Sequence, residues 1–377
     1  MSSTAFLVVT FATLADIALA SWLLFRGRST RVDLLRVGIT ALIVAAFVGM
    51  QLAGSFVVVH SYFLAVSLSY VVTMALVPLM GVAVLVAARK RAVTKPVRGI
   101  AIASLVLVPI GIDATFIEPF RLVTETATVP VAREHVLAKP IVIGVLSDIQ
   151  LVVVTDRERE AVARVMAAKP DLILLPGDLQ QVGFDHFAEL IPSFRALLAP
   201  LSAPLGVWFV EGNCESTGEA RMLLEGTPVK ILDNEIVRFD RDGTRLTLCG
   251  VDLTFDSPRA KSALAEIQRD DGENDVRIVV AHRPDVMQKL APNTRVDLIV
   301  AGHTHGGQVQ IPFFGPPITL SAVPRDIAAG GLHTLDGRRI YVSRGIGWEH
   351  GHAPRVRFLC TPEVSLLTLR PRNSNAE

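Results

Sequence analysis

The chain has 377 residues, enough for about two domains on ordinary domain sizes, and half of its residues are hydrophobic. Its 37 basic and 36 acidic residues leave a net charge of +1, with no basic excess of the kind that binds nucleic acid. The three cysteines, Cys214, Cys249 and Cys360, form no CxxC pair and argue against a cysteine-based metal site.

The apolar surplus is concentrated in residues 1–117. Four stretches stand out there: Ala5 to Phe25, Leu35 to Ala53, Phe63 to Ala87 and Ile100 to Ile117. Each is near the roughly 20 residues that a helix needs to cross about 30 Å of hydrocarbon, so the spacing predicts an all-α region of four transmembrane helices. The first stretch has no basic flank before it and is read as a retained helix rather than a signal peptide. Arg26, Arg28, Arg31 and Arg36 fill the first connection, and Arg89, Lys90, Arg91, Lys95 and Arg98 fill the third. The second, around Gly54 to Tyr62, has neither Lys nor Arg. Basic loops stay in the cytoplasm. The expected protein is therefore a multi-pass protein of the cell membrane, with both termini and the remaining domain on the extracytoplasmic side. Asp16 falls in mid-span, where an ionisable group is costly. Burial against a neighbouring helix is the plain reading, and a transport or sensing role, with the outer domain as regulator, is the other.

Residues 118–139 contain Pro119 and Pro130 and precede Pro140. They read as an extended linker, because proline interrupts helices. From Ile141 short apolar runs alternate with helical stretches, the pattern of buried strands in an α/β sheet. The runs are Ile141 to Leu146, Leu172 to Leu175, Val207 to Val210, Arg277 to Val280 and Leu298 to Ala301, with a helix over Asp156 to Ala168 and a later strand at Ile340 to Ser343. The α/β domain is placed at 140–371, and 372–377 is expected to be a disordered tail.

Each run ends on polar residues: SDIQ, PGDL, EGNCES, AHRPD and GHTHGGQ. Asp148, Asp178, Asn213, His282, His303 and His305 thus lie at or just past the C-terminal ends of strands, where open α/β folds gather their ligands. Two carboxylates, an amide and three imidazoles in one place suit a divalent cation. A single GD or GN dipeptide carries little weight; five motifs in this order, each after a strand, carry a great deal.

These motifs resemble those of the calcineurin-like metallophosphoesterase superfamily, whose pattern is D-x-H, GD, GNH-D/E, H and GH-x-H. The resemblance covers about Ile141 to Arg370. The GHTHGGQ run, the later YVSRGIG and TPEVSLLTL, and the IEPF at Ile117 to Phe120 look like the membrane-associated bacterial branch. It implies a four-layer α/β/β/α sandwich and a metal-dependent hydrolase of phosphoric esters. It also implies two divalent ions (Mn, Mg, Fe or Zn), one held by Asp148, Gln150, Asp178 and His305, the other by Asp178, Asn213, His282 and His303. Asp178 would bridge the pair, which in two-metal sites lies ~4 Å apart, and a hydroxide between the ions would attack phosphorus in line with the departing alcohol.

Two positions depart from the family. Gln150 stands where the first ion has a histidine, and an amide oxygen is a harder and weaker ligand that shifts preference toward Mn²⁺ or Mg²⁺. Cys214 stands where a histidine is thought to protonate the leaving group, and a thiol is a weak donor. A phosphodiesterase branch of the superfamily carries GNC here too, so the expected activity is that of a phosphodiesterase. Glu215, His350 or His352 are the other candidates for that proton. The expected substrate is a phosphate ester near the outer membrane face, derived from lipid or envelope. The competing expectation is a membrane module that binds metal or phosphate without turnover.

Overall fold

The computed structural model describes residues 62–371 except 91, 132–136, 138, 242, 270, 272, 273, 351 and 352, together with 16, 19, 20, 31, 32, 37, 39–41, 43–45, 48 and 49. The chain divides into two compact units, Met1–Ile117 with Glu349–Val356, and Glu118–Trp348 with Arg357–Glu377.

In the first unit, two helices are long and apolar enough to cross a membrane: Phe63–Ala87 and Lys95–Phe120. Only 22% and 11% of their most apolar windows are buried, and Leu79, Val86, Ile102 and Val106 point outward. Helices apolar on their exposed faces differ from the amphipathic helices of a soluble core. The other two predicted spans lie largely outside the described residues. Asp16 is described and is fully buried. Two short strands, β1 (Arg31–Val32) and β2 (Ala92–Val93), pair in parallel, so the two basic connections meet.

The second unit is built on two six-stranded mixed sheets. One has the order β3-β14-β4-β5-β6-β7. Its strands are β3 (Val123–Val131), β4 (Ile141–Val145), β5 (Leu172–Pro176), β6 (Val207–Val210), β7 (Val229–Ile231) and β14 (Glu363–Pro371). The other has the order β12-β13-β11-β10-β9-β8. It comprises β8 (Glu235–Arg241), β9 (Thr244–Gly250), β10 (Val276–Val280), β11 (Leu298–Ala301), β12 (Gly331–Leu335) and β13 (Arg338–Val342).

Side-chain alternation sorts these strands into layers. Ile141, Ile143, Val145, Leu172 and Leu174 of the first sheet pack with Leu246, Leu248, Ile278, Val280 and Leu298 of the second. The opposite face of the first sheet, with Ile173, Leu175 and Phe209, takes Val162, Val165 and Phe194 from helices Asp156–Ala167 and Phe184–Leu198. The opposite face of the second, with Cys249, Val279 and Ile299, takes Leu264 and Ile267 from helix Pro258–Gln268. Both faces of each central strand are covered, which is why these strands read as continuous apolar runs. Each fully buried Leu, Ile or Val contributes on the order of 1.5–3 kcal/mol. The layer order is helix, sheet, sheet, helix.

One expectation is corrected. The segment read as a linker contains β3, which pairs in parallel with β14 from Val123↔Glu363 to Val131↔Pro371. Val123, Glu125, Ala127, Val129 and Val131 face inward while the residues between them are exposed, the period of a half-buried strand. Pro130 is tolerated because β3 is the sheet edge. The tail at 372–377 lies outside the described residues.

Candidate metal centre

Five loops leave the C-terminal ends of β4, β5, β6, β10 and β11 and carry the candidate residues. Main-chain bonds tie neighbouring loops together: Asp148 N donates to Gly177 O (3.2 Å), Gln150 N to Asp178 O (2.9 Å) and Gly302 N to His282 O (3.0 Å). Asp148, Gln150, Asp178, His303 and His305 all have positive φ, between 39° and 70°. Such conformations are uncommon outside glycine and collect at functional sites, where the surrounding structure enforces them. Close packing of the loops also needs glycine: a Cβ on Gly302 would strike the Asp148 carboxylate, and one on Gly212 would strike Asp178.

Asp178 is the centre of the arrangement. Its Oδ1 accepts from Asn213 N (2.7 Å) and Cys214 N (2.9 Å) and lies 3.3 Å from His282 Nε2. Its Oδ2 accepts from Gln150 Nε2 (3.0 Å) and the Cys214 thiol (3.3 Å). One carboxylate oxygen thus faces the Asn213–His282 side and the other the Gln150 side. Asp148 accepts from His303 N at Oδ1 (2.9 Å) and from the Ser147 hydroxyl at Oδ2, and its Oδ1 lies 3.6 Å from His305 Nε2. Ligand atoms of Asp148, Asp178 and His282 lie within 4.8 Å of one another, all three residues being buried. All eight predicted site residues therefore meet at one place.

The histidine tautomers follow from their outer partners. His282 Nδ1 faces Pro176 O (2.8 Å) and His303 Nε2 faces Leu320 O (3.3 Å). A carbonyl only accepts, so each of those nitrogens carries its proton. That turns His282 Nε2 and His303 Nδ1 toward each other, 3.2 Å apart, so that one proton or one cation must lie between them. With Asn213 Oδ1 3.0 Å from His282 Nε2 and the Asp178 carboxylate alongside, the donor set fits a divalent cation. Carbonyl partners that fix the outer nitrogen are the usual support of metal-binding histidines.

The charges respond to one another. Burial opposes a charge on His282, but the adjacent Asp178 and Asp148 carboxylates outweigh it and push the imidazole up to about 10. Asp178 is held well below the usual carboxylate range: burial acts against this, and His282 and the Cys214 amide prevail. Burial and then the Asp178 charge raise Asp148, to about 7. Burial and then the His282 charge push His303 down to about 4, and burial and then Arg357 hold His305 well below its ordinary value, so these two imidazoles stay neutral.

Glu215, a candidate proton donor from the sequence, has another task. Its carboxylate accepts from Asp178 N (3.0 Å), Leu179 N (2.8 Å) and Gly212 N (2.9 Å), clamping the loop after β5 to the loop after β6. His350 belongs to the other compact unit, and His352 lies outside the described residues. Sequence reasoning missed Arg357, a fully buried guanidinium that donates to His305 O (3.1 Å), Cys360 O (3.3 Å) and Arg344 O (2.9 Å) and lies 3.3 Å from His305 Nδ1. No motif marks it, because the carbonyls it gathers are main-chain groups that any residue could supply.

Residues 141–307 match the family model for calcineurin-like phosphoesterases. The uncharacterized metallophosphoesterase YkuE of Bacillus subtilis is 29% identical over 236 residues, 60% of this chain and 74% of that protein. The phosphodiesterase YaeI of Escherichia coli is 29% identical over 214 residues, 56% of this chain and 74% of that one. The UDP-2,3-diacylglucosamine pyrophosphatase LpxG of Chlamydia trachomatis is 34% identical over a shorter stretch of 97 residues, 24% of this chain and 28% of that one. The match to the family model begins at β4 and ends just past GHTHG, so it takes in every loop of the centre described above. Residues 141–307 form a calcineurin-like metallophosphoesterase domain, a metal-dependent hydrolase of phosphoric ester bonds.

Proposed function

We propose that the protein is a membrane-anchored phosphodiesterase that holds two divalent ions, of Mn, Mg, Fe or Zn, and cleaves a lipid- or envelope-derived phosphodiester at the outer membrane face. The observation that carries this reading is the facing pair of imidazole nitrogens, 3.2 Å apart, beside a carboxylate that turns one oxygen to each side. Asp178, Asn213, His282 and His303 would hold one ion; Asp148, Gln150, Asp178 and His305 the other. Divalent ions so held neutralise phosphoryl charge and acidify water, the chemistry that two-metal hydrolases use. The protein's own residues supply the rest. Asp178 offsets charge on both sides, Glu215 fixes the loops that present Asp178 and Asn213, and the Cys214 thiol, 3.3 Å from Asp178, gives its proton to the departing alkoxide and regains one from water.

The substrate class is supported by the segments that follow two of the site residues. Leu320, whose carbonyl holds His303, is exposed, as are Ile311, Phe313 and Phe314 on the same connection. Val152 and Val153, just beyond Gln150, are exposed as well. Exposed apolar side chains on the segments that follow Gln150 and His305 suit an amphiphile with a phosphoester head group. The LpxG relative is named for a diacylated nucleotide-linked sugar, which is the same kind of molecule. A phosphodiesterase rather than a monoesterase is supported by Cys214 and by the YaeI relative.

The Gln150 amide donating to Asp178 and facing the Cys214 sulfur at 3.2 Å favours a second reading, a metal-binding module without turnover. The test is hydrolysis of a chromogenic phosphodiester by the full-length protein and its Asp178→Ala variant with added Mn²⁺. Catalysis predicts turnover that the substitution reduces by about 10³-fold or more, the scale of removing a principal electrostatic group, with folding and membrane insertion retained. Metal binding by the unsubstituted protein without turnover would support the module instead.

A further inference from the structure

The two halves of the cage are not built alike. On one side, His282 and His303 each commit the outer nitrogen to a carbonyl, at 2.8 and 3.3 Å, and turn the other nitrogen inward. On the other side the corresponding positions are Gln150 and His305. Gln150 offers an amide where an imidazole would stand and directs its N–H groups at Asp178 Oδ2 (3.0 Å) and the Cys214 sulfur (3.2 Å). An amide oxygen is a weaker ligand for a divalent cation than an imidazole nitrogen.

His305 is opposed by its neighbour. Arg357 Nη2 lies 3.3 Å from His305 Nδ1. A guanidinium has no acceptor and keeps its charge in proteins, so the imidazole Nδ1 can only accept. In the neutral ring the proton then sits on Nε2, the nitrogen that faces Asp148 Oδ1 at 3.6 Å and has no hydrogen-bond partner. To bind a cation through Nε2, His305 must move that proton to Nδ1, against the face of a buried cation. In His282 the nitrogen away from the cage faces a carbonyl rather than a guanidinium. Arg357 cannot readily withdraw, because it is fully buried and also donates to the carbonyls of His305, Arg344, Gly347 and Cys360.

We propose that the cage loads unequally: a cation enters first at Asp178, Asn213, His282 and His303, and a second enters at Asp148, Gln150 and His305 with much lower affinity. An unfavourable partner on a ligating histidine is worth about 10- to 100-fold in metal affinity, and the amide at position 150 widens the gap. The protein at low metal concentration is then a one-ion species, and the second ion is exchangeable. This inference rests on the metal-binding reading above and concerns only how its two sites differ.

The test uses the full-length protein in detergent, stripped with a chelator and titrated with Mn²⁺, followed by calorimetry and by electron paramagnetic resonance. The wild type is expected to take up one equivalent tightly and a second about 10- to 100-fold more weakly, with an isolated-ion spectrum at the first equivalent. Gln150→His is expected to narrow the gap, leaving the part that Arg357 imposes on His305, and to give a spin-coupled pair at lower Mn²⁺ than in the wild type. Asn213→Ala is expected to remove the tight step. Two equivalents bound with one affinity in the wild type, or a coupled pair from the first addition, would overturn the inference and leave the metal-dependent reading standing. A second step unmoved by Gln150→His would overturn it also. Absence of any Mn²⁺ binding would overturn both.

Discussion

Asp178 gathers the loops after β4, β5 and β6 into one unit: it accepts from the main chain of Asn213 and Cys214 and from the side chains of Gln150 and Cys214. Among these the thiol is the chemically distinctive one. Cys249 and Cys360 are fully buried; burial, and then Glu266, push the Cys249 thiol up to about 12, and burial raises Cys360. Cys214 alone of the three lines the cage. If its thiol protonates the leaving group, Cys214→Ala lowers kcat for a phosphodiester with a poor leaving group by about 10²-fold, the ordinary scale of general acid catalysis. The same variant leaves KM nearly unchanged and hydrolyses an activated nitrophenyl ester almost normally. Equal losses on both esters would remove Cys214 from that role. The residue types gathered at this site were legible in the sequence, since Asp, Asn and His after apolar runs announce themselves. Their supports were not. The carbonyls of Pro176 and Leu320 that set the tautomers of His282 and His303 are main-chain groups that any residue could supply. The buried Arg357 against His305 looks in sequence like any other arginine.

The strands that carry the site were readable for the same physical reason that they are stable. β5, β6, β10 and β11 are buried on both faces and appear as unbroken apolar runs. β3 was not read, because threonine, glutamate and two prolines near it suggested a linker. Its signal was the alternation of inward Val123, Ala127, Val129 and Val131 with outward threonines, which is weaker than a continuous run. This difference changes what a soluble fragment needs. Glu118 belongs to it too, since its buried carboxylate accepts from Cys360 N (2.9 Å) and the Thr361 hydroxyl (2.8 Å). A truncation beginning at residue 118 is expected to fold and retain phosphodiesterase activity. One beginning at Ala138 uncovers β14 along its pairing with β3 and leaves an open sheet edge. It is expected to melt at a lower temperature and to aggregate. Equal melting temperatures for the two would show that β3 contributes little.

At the scale of the whole chain, the apolar first 117 residues and the charged loops within them decide where the hydrolase works. The parallel pairing of Arg31–Val32 with Ala92–Val93 brings the first and third connections together, as the charge pattern requires if both are cytoplasmic. If all four proposed spans form, the hydrolase lies outside. Protease added to intact cells is expected to cleave exposed loops of the hydrolase, such as the one carrying Phe313, and to spare the connection around Arg89. Protection of the hydrolase until the cells are permeabilised would reverse the orientation. The central claim is that hydrolysis depends on divalent cations held by the strand-end loops, and removal and return of metal tests it most directly. The full-length protein stripped with a chelator is predicted to lose its phosphodiesterase activity and to regain it on titration with Mn²⁺, with the Asp178→Ala variant regaining none. Undiminished hydrolysis by the stripped protein, or equal recovery by the variant, would contradict the account.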